Sequence, residues 1–347
     1  MKIQEHVALA PLTTFKVGGA ARYFVEAQTE QDVTEAVRFA RERGLPLFVL
    51  GGGSNLVVSD SGWDGLVLRI ALRGIEQANQ GDKVIFEAGA GEDWDEFVAH
   101  TVNLNCGGIE CLSGIPGTIG GTPVQNVGAY GQEVAETITR VRVLDLEQNQ
   151  IREIENRDSG FAYRTSIFNS SARGRYIVLH VSFSLMPGAA PHIEYADLKK
   201  FFAGSSATLQ QTREAVREIR RSKAMLVVEG DPDCRSAGSF FKNPIVTPAQ
   251  YEEVNRRPAA RGERVPQFPA ADQKIKISAA WLVEHSGFSK GFQRGAAGIS
   301  GKNALAIVNR GGARAADIVA LKNEIQQRVH ASFGIELHPE PVFVGKF

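Results

Sequence analysis

A chain of 347 residues, 43% hydrophobic and 22% charged, falls in the ordinary range of globular proteins and is long enough for about two to three domains, each with its own core. Its 39 basic and 39 acidic residues cancel, which excludes backbone-driven nucleic-acid binding as the main activity but leaves room for a local basic pocket on a phosphorylated small molecule. Cys106, Cys111 and Cys234 show neither Cys-x-x-Cys spacing nor an even count, which argues against a disulfide framework or metal site.

The opening MKIQEHVALAPLTTF has no signal-peptide apolar core, and no apolar run approaches a membrane span. The expectation is a soluble, cytoplasmic protein with reduced thiols and no membrane partner. Residues 22–27 then read as a strand. Thr29 and Asp32 form a capping pair, and Val33, Ala36, Val37 and Ala40 recur on one helical face that Gly44 ends. Pro46 to Leu50 is a short apolar strand running into Gly51-Gly52-Gly53-Ser54-Asn55. Strands are predicted at 65–70, 83–91, 138–146 and 175–185, with a helix at 93–102. Residues 113–133, SGIPGTIGGTPVQNVGAYGQE, hold too much Gly and Pro for regular structure. Beyond them the pattern predicts a charged amphipathic helix over 205–224 at a domain joint, a helix over 277–287 and a strand over 304–309. A last helix over 314–333 places Ile318, Leu321, Ile325 and Val329 on one face, and IELHPEPVFVG reads as a terminal strand.

Chemistry concentrates in the irregular segments. After a strand, Gly51–Asn55 can turn so that successive N–H groups converge on an anion. It is neither a dinucleotide fingerprint nor a P-loop, since Leu-Val-Val follows where a helix should begin. The 113–133 stretch carries Ile115, Ile119, Val124 and Val127, which give it something to bury, so it reads as ordered and functional. Two ordered glycine loops suit a diphosphate and a flat ring, and as a pair they predict a dinucleotide cofactor. In FAYRTSIF, Tyr163-Arg164 sits among Phe161, Ile167 and Phe168, where a half-buried Arg needs an anionic partner. In SAGSFFKNP, Ser239 is either a small residue where a strand meets a turn or a hydroxyl held rigid by apolar neighbours. Glu340, between two prolines, reads on pattern alone as a solvated carboxylate. The seven histidines form no cluster.

Taken in order, TTFKVGGAARYF, VLGGGSN, SGIPGTIGGTPVQNVGAYG, FAYRTSIF, EYADL, SAGSFFKNP and HPEPVFVG resemble the UDP-N-acetylenolpyruvoylglucosamine reductase (MurB) family over nearly the whole chain, and EYADL with SAGSFFKNP resembles its type I branch. The resemblance implies an α+β protein: an FAD-binding fold of the vanillyl-alcohol-oxidase (PCMH) type in two subdomains, residues 1–62 and 63–222, and a substrate-binding domain over 223–336. The tail 337–347 is placed as a possible return to the first subdomain. It implies non-covalent FAD held by Gly51, Gly52, Gly53, Ser54, Asn55, Ile115, Pro116, Gly117, Gly120, Gly121, Thr122, Gly128, Ala129 and Tyr130. It implies NADPH as hydride donor and UDP-N-acetylglucosamine enolpyruvate as substrate. Ser239 matches the family's proton donor, and Arg164 and Glu340 its other catalytic groups. Tyr163, Tyr195, Lys223 and Asn243 match substrate-binding positions. A monomer is expected, with no metal and no nucleic acid.

The chain departs from the family pattern twice: AMLVVEGDPDCR lengthens the approach to the serine, and Pro341 stands where an aliphatic residue is usual, which predicts a terminal strand short of one N–H donor. Two rival readings stay open at this stage. One is an oxidase on the same FAD fold; such enzymes often attach flavin through a His or Cys, and Cys106 and Cys111 precede the second loop. The other is a non-catalytic nucleotide-binding module, which would have no need of Arg164, Ser239 and Glu340 together.

Overall fold

Capping fixes the first helix where the sequence places it. The Thr29 hydroxyl accepts the Asp32 N–H at 3.1 Å, the Asp32 carboxylate accepts the Thr29 N–H at 3.1 Å, and α1 runs Glu30–Glu42 with Val33, Ala36, Val37 and Ala40 buried. The structure, a computed structural model, describes residues 1–259 and 262–347, with 257–259 described by backbone alone. The chain divides into two compact units that are interleaved along the sequence rather than consecutive. The first comprises Met1–Val7, Ala21–Gly53 and Asp64–Leu226, the second Ala8–Ala20, Ser54–Trp63 and Val227–Phe347.

In the first unit, a four-stranded sheet has the order Ile3–Ala8, Ala20–Ala27, Trp63–Ile70, Leu47–Leu50, the last two parallel with Leu47 opposite Leu66. A larger antiparallel sheet has the order Gln150–Glu155, Ile138–Asp145, Tyr176–Pro187, Lys83–Gly89, Ile75–Gln80, and Cys106–Gly107 pairs with the end of the long third strand. Helix α2 (Trp94–Asn103) buries Trp94 and Phe97 against this sheet, with ring centroids 5.1 Å apart for Phe97–Phe183 and 6.1 Å for Phe86–Phe97. Edge strands Ile75–Gln80 and Gln150–Glu155 are mostly polar and exposed, so their alternation carries little signal in the sequence.

Helix α3 (Ala196–Phe202) and helix α4 (Leu209–Ser222) complete this unit. The expected 205–224 helix is shorter because Thr208 and Gln211 close a capping box and fix its start. Ala215, Val216 and Ile219 of α4 pack with Cys111, Tyr130 and Leu198. Charged residues tie α2 to α4: the Asp95 carboxylate accepts from Arg213 and Arg217, and takes the Gly114 N–H at 2.6 Å.

The second unit holds two three-stranded sheets. One is Ile245–Val246, Ile275–Ile277, Gln267–Pro269; the other is Gln293–Arg294, Ala297–Ile299, Ile307–Asn309. Helices α5 (Pro248–Ala259), α6 (Ala279–Glu284) and α7 (Ala315–Phe333) accompany them. The helix expected over 277–287 divides: Ile277 ends a strand, and Ser278 caps α6 by accepting the Trp281 N–H. In α7, Ile318, Leu321, Ile325 and Val329 are buried as the sequence predicts, and Gly334 ends the helix at φ +69°. Only Val342–Val344 of the tail is strand, parallel to Leu56–Val58. Pro341 precedes that strand, so it removes no ladder donor, and the Val342 N–H reaches the Asn55 carbonyl at 2.9 Å. The three cysteines are buried, and none of the described helices is long and apolar enough to cross a membrane.

The Asp95 knot gives the first unit an acid-sensitive joint. Burial raises the Asp95 pKa, but the hydrogen bonds from Arg213 and Gly114, with the charges of Arg213 and Arg217, outweigh it and hold the carboxyl below its ordinary 3.8. Its contribution is therefore complete above pH 3.8 and is lost as pH falls through the lower folded value. Asp95→Asn is expected to cost about 1–3 kcal/mol at neutral pH and to flatten the acid limb of the Tm–pH curve, as followed by circular dichroism.

Candidate functional site

The two glycine loops meet backbone to backbone. A Cβ on Gly52 would stand 2.6 Å from Gly117 Cα, and one on Gly51 would stand 3.0 Å from Thr118 Oγ1. Parallel pairing of Leu47–Leu50 with the neighbouring strand delivers the first loop. The second is hung by its own N–H groups: Ile119 donates to the Glu92 carbonyl and Gly120 to the Ala90 carbonyl, each at 2.9 Å. At their junction the Thr118 hydroxyl is buried and has no hydrogen-bond partner among the described residues. A buried donor left open in this way is a cost that a bound acceptor removes. Thr118 was missed in the sequence, where a threonine between glycines looks like an ordinary turn residue.

Some residues expected around a cofactor also have local duties. The Thr122 hydroxyl donates to the Ile119 carbonyl at 2.8 Å, and Ile115 packs against the main core. A Cβ on Gly120 would come 2.7 Å from Ala90 Cβ, so this glycine allows the loop to lie on its neighbouring strand. Gly121 faces open space. Asn126, quoted in the motif without a role, is a buried hub at φ +46°: its amide donates to Glu133 at 2.8 Å and to the Ala162 carbonyl at 3.1 Å, and its oxygen accepts the Ala135 N–H at 3.1 Å.

Arg164 lies at the tip of a tight turn closed by reciprocal Ala162–Thr165 backbone bonds, at φ +54°. Its Nη2 donates to the Gly128 carbonyl at 2.9 Å, and its guanidinium stands 5.6 Å from the exposed Tyr163 ring. Gly128, Ala129 and the buried Tyr130 end the second loop. Burial pushes the Tyr130 phenol up to about 12, so it stays protonated at neutral pH. Tyr130 meets Tyr195 edge-on with centroids 5.4 Å apart, and Tyr195 is 46% exposed at the start of α3. Lys223, at the C-terminal cap of α4, is ion-paired with Asp197 at 2.6 Å.

In the second unit, Gly238 at φ +70° and Ser239 form a bend that leads into Phe240 and Phe241. Phe240 and Phe241 are buried, in edge-to-face contact with each other, and Phe240 also packs edge-on with Phe15 and Phe343. The Phe240 N–H donates to the Leu305 carbonyl at 2.8 Å and its carbonyl accepts the Glu340 N–H at 2.9 Å, which brings Glu340 alongside the serine segment. Lys242 donates to the His338 carbonyl at 3.0 Å. Thr14 fixes both this segment and the first loop's end, donating to the carbonyls of Ser236 at 2.6 Å and Ser54 at 3.2 Å. Asn55 donates to the Glu340 carbonyl at 3.4 Å, and Asn243 Oδ1 accepts the Ala279 N–H at 2.9 Å, which orients its NH2 as the donor end.

Paired glycine loops around an open hydroxyl suit an anionic ligand, and the match of residues 21–155 to the FAD binding domain model places the chain among the FAD-binding flavoproteins. Residues 231–344 match the C-terminal domain of UDP-N-acetylenolpyruvoylglucosamine reductase. A UDP-N-acetylenolpyruvoylglucosamine reductase of Saccharopolyspora erythraea is 47% identical over 97% of this chain and 94% of its own, and one of Streptomyces coelicolor is 45% identical over 97% and 89%. The crystal structure of that reductase (MurB) from Thermus caldophilus superposes with a TM-score of 0.66 at 26% identity, covering 99% of this chain and all of the other. The chain belongs to the UDP-N-acetylenolpyruvoylglucosamine reductase (MurB) family. It is an FAD-dependent oxidoreductase, α+β in class, with an FAD-binding domain followed by the family's C-terminal domain.

Thr118→Val keeps volume and removes the open hydroxyl. FAD affinity is expected to fall about tenfold or more, the value of a hydrogen bond to a charged acceptor, with Tm of the apoprotein unchanged or raised. Flavin fluorescence during reconstitution measures the first, and an affinity equal to the parent's would remove Thr118 from the site.

Proposed function

We propose that the chain catalyses NADPH-dependent reduction of UDP-N-acetylglucosamine enolpyruvate to UDP-N-acetylmuramate, a step of peptidoglycan precursor synthesis. It would act as a cytoplasmic monomer without nucleic-acid or membrane partners. The observation that carries this reading is the mount of Ser239: a hydroxyl preceding two buried rings, its neighbour's backbone bonded on one side to Leu305 and on the other to Glu340. The chemistry that FAD supplies when bound is hydride relay from NADPH to the terminal carbon of the enolpyruvyl group.

The chain's own residues do the rest. Hydride addition leaves carbanion character on the carbon next to the carboxylate, and that carbon needs a proton. Ser239 donates it. A serine is a weak acid, so the donation counts only from a hydroxyl held in place, and a positioned donor is worth about 10²–10⁴-fold in rate. Glu340, held beside Phe240 by its own N–H, is the adjacent acid that supports proton resupply. Arg164 offers its planar fork to the substrate carboxylate; a preorganised donor of that kind is worth roughly 3–4 kcal/mol. Its turn conformation at φ +54° is one that persists only under constraint, as functional residues often show.

Asn243, Tyr163 and Tyr195 are the remaining substrate contacts on this reading. Lys223 serves a diphosphate by exchanging Asp197 for it. Both partners of that pair are more than one third exposed, and such surface pairs are weak, about 0–1 kcal/mol, so the exchange costs little.

Ser239→Ala separates the two half-reactions. Anaerobic reduction of the flavin by NADPH is expected at the parent rate, while reoxidation by the enolpyruvyl substrate slows by about 10²–10⁴ in stopped-flow absorbance. Reoxidation at the parent rate would take the proton-donor role from Ser239. A parent enzyme that reoxidises only in air would overturn the reductase reading itself.

A further inference from the structure

Both ends of the cofactor loop converge on one buried guanidinium. Arg220, on the inner face of α4, is 7% exposed. Its Nε donates to the Gly114 carbonyl at 3.0 Å and its Nη2 to the Met225 carbonyl at 2.7 Å, and the guanidinium lies close enough to the Tyr130 hydroxyl for the two groups to act on each other. Among the described residues no carboxylate touches it. Gly114 immediately precedes the loop and Tyr130 closes it, so residues 115–130 are spanned by a single side chain from another element.

The clamp at Gly114 is two-sided. Arg220 holds the carbonyl while Asp95 holds the N–H at 2.6 Å, with Asp95 itself anchored by Arg213 and Arg217. Gly114 is at φ +72°, and a Cβ there would lie 2.8 Å from Leu226 Cδ1 and 3.4 Å from Arg220 Cδ, so any side chain at this position is strained and crowds Leu226. At the far end Tyr130 sits at φ +50°, a conformation that a bulky residue keeps only when its surroundings enforce it. A guanidinium suits the task because its rigid fork serves acceptors in several directions, whereas an ammonium is a point charge on a flexible stem.

We propose that Arg220 is a positioning residue that sets the shape of the flavin loop by pinning its two ends, with Asp95 as the opposing clamp at Gly114. The inference rests on residues 115–130 binding FAD. Without the pin, the loop keeps its central anchors at Ile119 and Gly120 but its ends relax, so flavin binds more weakly and in an altered environment.

The test compares Arg220→Lys, Tyr130→Phe and a control, Val216→Ala. Val216 lies in the same α4 cluster. Arg220→Lys is expected to weaken FAD binding about tenfold and to change the visible circular dichroism of the bound flavin. Tyr130→Phe, an isosteric loss of one hydroxyl, produces the same spectral change at smaller size, and keeps the test open if the Arg220 variant does not fold. In Arg220→Lys/Tyr130→Phe the two losses are less than additive. Val216→Ala lowers Tm yet leaves flavin affinity and spectrum as in the parent. Parent affinity and spectrum in Tyr130→Phe or in folded Arg220→Lys would overturn the proposal, as would the same change in Val216→Ala. A parent protein that takes up no FAD would instead overturn the loop's assignment.

Discussion

The approach of Gly52 to Gly117 is the constraint on which the first unit's function depends. With 2.6 Å between a virtual Cβ and the facing backbone, no other residue fits without moving one loop. Two features of the fold make this approach possible. Parallel pairing of Leu47–Leu50 carries the first loop to a fixed height, and the N–H groups of Ile119 and Gly120 fasten the second to the carbonyls of Glu92 and Ala90. The Trp94 N–H adds a third fastening at the Gly117 carbonyl, 3.1 Å away. A backbone held this way presents its remaining donors without a conformational search, which is what an anionic cofactor needs.

Around that contact the backbone is held in unusual conformations by side chains. Asn126, Tyr130 and Arg164 all lie in the left-handed region without being glycine. Each such residue costs of order 1–3 kcal/mol, and each is held by its surroundings: Asn126 by bonds to Glu133, Ala162 and Ala135, Tyr130 by packing against Tyr195 and the α4 cluster, and Arg164 by its bond to Gly128. Others, such as His6, Asn149 and Ala203, lie elsewhere in the chain, whereas Asn126, Tyr130 and Arg164 lie at or near the 113–133 loop. The long strands behind it carry none, and their aromatic core of Phe86, Phe97 and Phe183 supplies the rigidity that the loop borrows.

What the sequence reveals follows how local each determinant is. Helices α1 and α7 are legible because capping residues and the 3.6-residue period lie within one window, and the glycine loops are legible because glycine has a direct backbone meaning. Arg220 and Asp95 are not. A charged residue on an amphipathic helix has the same appearance in a sequence whether it faces water or enters a core, and only α2 against α4 decides. Thr118 is hidden for a related reason, since its importance is an unmet hydrogen bond that only the folded neighbourhood exposes. The interleaving of the two units also escapes a linear reading: Ala8–Ala20 and Ser54–Trp63 join residues more than 160 positions downstream through bonds such as Thr14 to Ser236. The tail strand, by contrast, pairs with Leu56–Val58, within the 1–62 stretch where the sequence places its return.

The same logic explains why a serine should stand before two phenylalanines. Ser239 lies half exposed in a bend, and the two residues that follow it, Phe240 and Phe241, are buried and anchor the chain. Phe240 locks its own backbone at both ends, to Leu305 and to Glu340, and its ring is packed among Phe15, Phe241 and Phe343. Glu340 is restrained in turn, because Pro339 and Pro341 fix φ on either side and its single N–H is spent on Phe240. In the proposed role of proton donor Ser239 is a weak acid and depends on placement, and the packing and backbone bonds of its neighbour Phe240 supply that placement. On the proposed mechanism, rigidity next to Ser239 takes the place of acidity.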